Sequence, residues 1–232
     1  MKKHHWLVAG ALVILLLGGG WYLWRDQPQP GAADGTNPSS ETIGAGELHT
    51  MGNPGAKVVV IEYAAPVCPT CAFVNATTIP ELKRRYIDTG KVFYVFRIFP
   101  IDPADFKAGG LAMCLPKEKY LDAIDLLYRR QEEWGAEQMG EHAPGFTMEN
   151  QPKTDAGLIK MGRILGMDAE KAHACMIDKS AHQAIDEVAR QGNARYNIPG
   201  TPTIIVNGQT YSGVPRNVDD LAVMIDPLLE GK

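Results

Sequence analysis

The chain has 232 residues, 45% hydrophobic and 22% charged, a composition that excludes wholesale disorder and a many-span membrane protein. Its net charge of −4 leaves no basic footprint for nucleic acid, so no partner of that class is expected. With a tether set aside, the length suits a single well-buried domain.

The first feature is Lys2 and Lys3 ahead of an uncharged apolar run at 6–24, which begins at Trp6 and ends in Trp21, Tyr22 and Trp24. A helix rising ~1.5 Å per residue needs about 20 residues to cross a bilayer, and aromatic residues favour the two interfaces. Residues 6–24 therefore read as a single-pass inner-membrane anchor, with 1–5 cytoplasmic. The alternative is a signal segment, cleaved or not; the missing A-x-A-like site and the length of the run favour the anchor. Both readings export the remainder, into a compartment where disulfides persist. Residues 25–47, rich in Pro, Gly, Ala and Ser without apolar periodicity, read as a flexible linker.

A domain is expected over 48–232. The β-branched run at 58–63 reads as a buried strand, and the segment after it becomes helical until Asp88, Thr89 and Gly90. A second strand is expected at 91–99, closed by Pro100, which makes a parallel strand-helix-strand crossover. Helical spacing dominates 103–196: Tyr120, Ile124, Leu127 and Gln131 share one face, as do Ile185, Val188 and Ala189. Strands at 203–206 and 209–212 flank Asn207-Gly208, a hairpin turn pair, and a last helix is expected over 217–229.

Cys68-Pro69-Thr70-Cys71 falls after the first strand, at the start of the first helix. In that context C-x-x-C reads as a redox motif. Unpaired N–H groups and the helix dipole would favour a Cys68 thiolate, making it the sulfur that attacks or is attacked, with Cys71 one turn inward as the resolving thiol. Pro69 fits the first turn, where a missing N–H costs nothing. A zinc site would need further paired ligands, which Cys114, Cys175 and the scattered histidines do not form. An inert disulfide across so short a loop would add little stability.

The strand, Cys-Pro-Thr-Cys, helix, strand, helical insertion and later Gly200-Thr201-Pro202-Thr203 resemble the DsbA-like family of bacterial periplasmic disulfide oxidoreductases, from about Lys57 to the C-terminus. The resemblance implies an α/β thioredoxin fold with a helical insertion at about 103–196. It implies a redox-active disulfide in place of any organic cofactor or metal. It also implies that Pro202 is cis and faces the catalytic pair, with Thr201 presenting backbone groups to an extended substrate chain. Without the resemblance, Pro202 reads only as a trans proline starting an edge strand.

Glu62 stands in an apolar strand, six positions before Cys68, where an acid is expensive to bury. The bland alternative is an exposed strand face. The resemblance implies that it lies beneath Cys71 and exchanges protons with it. Cys114 and Cys175 read as a structural disulfide on oxidising compartment and even count, with two buried free thiols as the alternative. His4, His5, His49, His142, His173 and His182 read as solvated or capping. Asp178 and His182 could pair at i, i+4, and Tyr120, Trp134, Met161 and Met167 read as core.

Together these residues lead us to expect a membrane-tethered periplasmic thiol-disulfide oxidoreductase, a dithiol oxidase acting on exported unfolded or partly folded proteins and recharged by a membrane redox partner. A reductase or isomerase would use the same residues with electrons running the other way. A non-catalytic chaperone or binding module on the same fold is the third reading.

Overall fold

The computed structural model describes residues 49–135 and 151–231. The expected N-terminus at 1–5, anchor at 6–24, linker at 25–47 and His142 lie outside them; among the described residues no helix is long and apolar enough to cross a membrane.

Strands β1 (Thr50–Met51), β2 (Val58–Ala64), β3 (Val92–Ile98), β4 (Thr203–Val206) and β5 (Gln209–Thr210) form one sheet in the order β1-β3-β2-β4-β5. The Val, Ile and aromatic runs of β2 and β3 suit a sheet covered on both faces, and the two pair in parallel from Val58 opposite Val92 to Ala64 opposite Ile98. A parallel pair needs a crossover, which helix α1 (Pro69–Leu82) and a π-helical turn at Lys83–Ile87 provide. Pro80 inside α1 has no N–H to donate, so the helix loses one ladder bond just ahead of the widened turn.

The expected insertion is present as α2 (Pro103–Met113), α3 (Tyr120–Arg129), α4 (Gln131–Trp134), α5 (Gln151–Ile164), α6 (Ala169–Met176) and α7 (Lys179–Tyr196); α8 (Val218–Glu230) closes the chain. Side-chain caps start four of these helices: Asp102 for α2, Asp168 for α6, Asp178 for α7 and Asn217 for α8. Strand alternation divides the core in two. Val58, Val60 and Ala64 join Tyr120, Ile124, Leu127, Trp134, Met161 and Met167 in the larger half. Val59, Ile61, Tyr63, Phe93 and Val95 form the smaller half, with Val188 and Tyr196 of α7 packed on it.

One alternative reading and three expectations are corrected. Strand β4 is internal, paired with β2 on one side and β5 on the other, so Pro202 does not start an edge strand; it precedes the ladder, where no donor is required. β5 stops at Thr210 rather than residue 212, and the two-residue β1 carried no pattern to foretell it. Asp178 accepts from Ser180 N (2.7 Å) while His182 Nε2 meets the Met176 carbonyl (2.9 Å), so the two make no direct hydrogen bond and meet only through an electrostatic influence on Asp178. His49 is no solvated residue. Its ring stacks on Tyr120 at 3.3 Å, and burial, helped by Lys117, lowers its pKa to about 4.

Cys114 and Cys175 are bonded, tying the end of α2 to α6 across a sequence separation of 61. The two helices meet closely here: a Cβ at Gly110 would lie 2.5 Å from the Cys175 carbonyl oxygen, so only glycine fits. Closing a loop of this length restricts the unfolded chain by about 4 kcal/mol. Replacing both cysteines by alanine should lower the unfolding free energy by about that amount in urea denaturation; a loss under about 1 kcal/mol would show that the helices alone hold the insertion.

Candidate active site

The Cys68–Cys71 pair sits where β2 ends and α1 begins. Cys68 is the N-cap of α1, with extended backbone (φ −73°, ψ 117°), and its sulfur accepts from the Cys71 N–H at 3.3 Å. In the thiol form Cys68 also donates to the Thr201 carbonyl at 3.4 Å. The Thr201–Pro202 bond is cis, and Pro202 is buried directly before β4. The motif pair, Pro69 and Thr70, is exposed on the outer side of the turn.

The two sulfurs are held in opposite electrostatic states. The pKa of Cys68 falls from 9.0 to about 6, chiefly because the Cys71 thiol donates to it, with the Thr201 side chain and the Cys71 and Thr70 backbone adding to this against the cost of burial. Cys71 is fully buried, and desolvation, then its hydrogen bond to Cys68 and the Cys68 charge, push its thiol far up. One thiol is therefore ionised near neutrality and the other stays protonated, the division of labour that an attacking and a resolving cysteine require.

Glu62 is buried, 1% exposed, on the face of β2 that carries Val60. Burial raises its pKa to about 7; a hydrogen bond from the Tyr94 hydroxyl to Oε2 (2.6 Å) opposes the rise, and the Cys68 charge adds to it. Its charge in turn is one of the influences that raise Cys71, so the acid and the Cys71 thiol share one dry compartment. The structure thus brings together Glu62, Cys68, Cys71, Thr201 and Pro202, and leaves Cys114 and Cys175 elsewhere as a closed bridge.

Three contributors escaped the sequence. Asp105, fully buried in the first turn of α2, accepts from Val67 N (2.8 Å), Ile101 N (2.9 Å) and Asp102 N (3.1 Å), tying down the residue just before Cys68. Burial moves its pKa up to about 7 against the pull of those three N–H groups. Gln131 of α4 donates to the carbonyls of Pro66 (2.6 Å) and Cys68 (3.0 Å), gripping the same loop from the other side. Tyr94 looked like any aromatic strand residue. Only Asp105 had a readable signal: Asp102-Pro103-Ala104-Asp105 is a helix-start pattern with an acid at the third helical position.

A family model described as Thioredoxin matches residues 45–227. The chain belongs to the thioredoxin family. A Rickettsia bellii protein with the provisional name protein-disulfide oxidoreductase is 28% identical over 184 residues, covering 78% of this chain and 64% of its own. A Rickettsia felis protein with the same provisional name is 30% identical over 182 residues, covering 78% and 59%. This chain thus spans 64% and 59% of those relatives' lengths. The disulfide bond formation protein D of Bacillus subtilis is 24% identical over 189 residues, covering 78% and 77%. Among solved structures, Wolbachia pipientis alpha-DsbA1 superposes with a TM-score of 0.66 at 23% identity, covering 78% of this chain and 90% of its own. A protein-disulfide isomerase from Novosphingobium aromaticivorans gives 0.65 at 20% identity, covering 78% and 96%. The expected fold is therefore present, a thioredoxin-like sheet with the helical insertion of DsbA. Among the described residues no cluster of three or more His, Cys, Asp or Glu is placed to hold a metal.

Two outcomes follow from this geometry. Ultraviolet titration of the reduced protein should show one thiolate with a midpoint near pH 6, absent in Cys68→Ser; a single midpoint near 9.0 would remove the proposed electrostatic contrast. Asp105→Ala strands buried N–H groups at about 1–3 kcal/mol each, so unfolding should become easier by several kcal/mol, whereas a surface-like effect below about 0.5 kcal/mol would deny the tether.

Proposed function

We propose that this protein is a membrane-tethered periplasmic thiol-disulfide oxidoreductase that acts as a dithiol oxidase. In this reading the Cys68–Cys71 disulfide is passed to exported unfolded or partly folded proteins, and a membrane redox partner restores it. The observation that carries the reading is the Cys68 sulfur at the mouth of α1 with a pKa of about 6, above a resolving thiol that stays protonated. Relatives named protein-disulfide oxidoreductase and disulfide bond formation protein D support thiol-disulfide chemistry at this site.

The reaction needs no cofactor beyond the cysteine pair. A substrate thiolate attacks Cys68 Sγ, the Cys68–Cys71 bond breaks, and Cys71 leaves with the electron pair and takes a proton from Glu62. A second substrate thiolate then attacks the substrate sulfur of the mixed disulfide and releases Cys68 as its stable thiolate. The substrate loses two electrons and the cysteine pair gains them. Thr201, beside Cys68, is placed to offer backbone groups to the substrate chain.

Direction depends on how far the reduced form is stabilised. With a pKa lowered from 9.0 to about 6, Cys68 is mostly ionised at pH 7. The gain in the reduced form is about 1.4 kcal/mol, or about 30 mV toward an oxidant. It vanishes below about pH 6 and grows as pH rises toward 9.0. Against the span from about −270 mV for thioredoxin to about −120 mV for the strongest oxidants, this term covers roughly a fifth. Export is supported by the apolar run at 6–24 and by the closed Cys114–Cys175 bridge, which suits an oxidising compartment.

The test is a redox titration of the full chain in detergent against glutathione, joined to oxidation of a reduced unfolded protein. A potential between about −240 and −120 mV with net disulfide formation supports the oxidase. A value near −270 mV with net reduction makes the same site a reductase. Cell fractionation checks the compartment: a soluble cytoplasmic chain would overturn the tether.

A further inference from the structure

We propose that Tyr94 is a positioning residue for thiol-disulfide exchange: its hydroxyl holds Glu62 Oε2, so that Oε1 is the oxygen that trades a proton with Cys71. The inference rests on the redox reading above and deepens it.

Parallel register brings the two side chains together. Tyr94 pairs with Val60, and Glu62 is the next residue of β2 on the same face, so phenol and carboxyl are diagonal neighbours inside the sheet's larger core. Tyr94 is 2% exposed and Glu62 1%, and the O–H to Oε2 distance is 2.6 Å. A phenol has one proton to give. Once it is given to Oε2, the carboxyl plane is set and the proton of the neutral acid belongs on Oε1. That oxygen is buried and has no hydrogen-bond partner among the described residues.

The titratable groups that act on the carboxyl come from three elements: Cys68 and Cys71 at the start of α1, Tyr94 on β3 and Tyr128 on α3, with Tyr120 of α3 within reach of Tyr94 and Asp105 of α2 within reach of Tyr128. Of these, Tyr94 makes the direct bond; the Tyr120 and Tyr128 hydroxyls are buried without a hydrogen-bond partner among the described residues and leave Oε1 uncontested. The Glu62 charge is among the influences that raise Cys71, so the thiol lies within electrostatic reach of the acid, and Oε1 is the oxygen left unbonded to meet it.

In the oxidising half-reaction, Cys71 departs as thiolate and receives the Oε1 proton, leaving a carboxylate that the Tyr94 O–H stabilises. In the return half-reaction, the Cys68 thiolate attacks a disulfide of the redox partner. Cys71 then gives its proton to Oε1 and attacks Cys68 Sγ, and the partner's sulfur leaves with the electron pair. Tyr94 matters most in this second step, because it keeps part of Glu62 ionised near pH 7 and thus able to accept.

The experiment uses the full chain in detergent. Isotope-edited infrared titration should place the Glu62 carboxyl near pH 7, absent in Glu62→Gln, and about one to two units higher in Tyr94→Phe. Stopped-flow release of a thiol from the Cys68 mixed disulfide should slow about tenfold at neutral pH in Tyr94→Phe, with its pH profile displaced by the same amount. In a Glu62→Gln background, Tyr94→Phe should add nothing. An unmoved Glu62 midpoint, or an equal slowing in both backgrounds, overturns the proposal while the redox reading stands. A wild-type chain without any exchange activity overturns that reading, and the proposal with it.

Discussion

Parallel pairing of β2 with β3 is the constraint from which the site follows. Two parallel neighbours cannot be joined by a tight turn, so the chain must leave β2, cross the sheet and return, and α1 is that crossing. The start of the crossing is therefore pinned at the end of a buried strand, with its first N–H groups facing outward. Cys68 occupies that point as N-cap, and Cys71 lies one turn further in, where the helix has already met the core. Their unequal electrostatics come from this arrangement: the deeper thiol donates to the outer sulfur and is itself fully desolvated.

The helical insertion does more than cover one face of the sheet. Asp105 from α2 and Gln131 from α4 both bind main-chain groups of the segment from Pro66 to Cys68, one by accepting and the other by donating. Neither bond depends on a side chain of the loop. The geometry ahead of the reactive sulfur is thus held by the scaffold, while the exposed Pro69 and Thr70 remain free to set how the thiolate is solvated.

Much of this was legible in the residues. The buried strands carry β-branched and aromatic runs, Pro69 marks a helix start, and Asn207-Gly208 marks the hairpin, where both residues adopt positive φ (45° and 82°). Glu62 announced itself by its misplacement in an apolar strand. Tyr94 and Gln131 did not, because an aromatic residue in a strand and an amide on a helix are ordinary there, and their importance comes from partners brought in across the sheet or from an adjacent helix. His49 misled for the same reason: its burial is decided by the Tyr120 ring, far along the chain. The place of β4 between β2 and β5 could not be read locally either, since strand order is a property of the assembled topology.

The covalent bridge between Cys114 and Cys175 has a consequence for survival under proteolysis. All peptide bonds from residue 114 to residue 175 lie within one closed ring of chain. A single proteolytic nick anywhere in that ring opens it without releasing a piece, so both ends stay attached through sulfur. Strands β2 and β3 with Cys68, and β4 with Thr201, lie on opposite sides of the ring in sequence. The bridge therefore keeps the two halves of the active site on one molecule after the backbone between them has been cut.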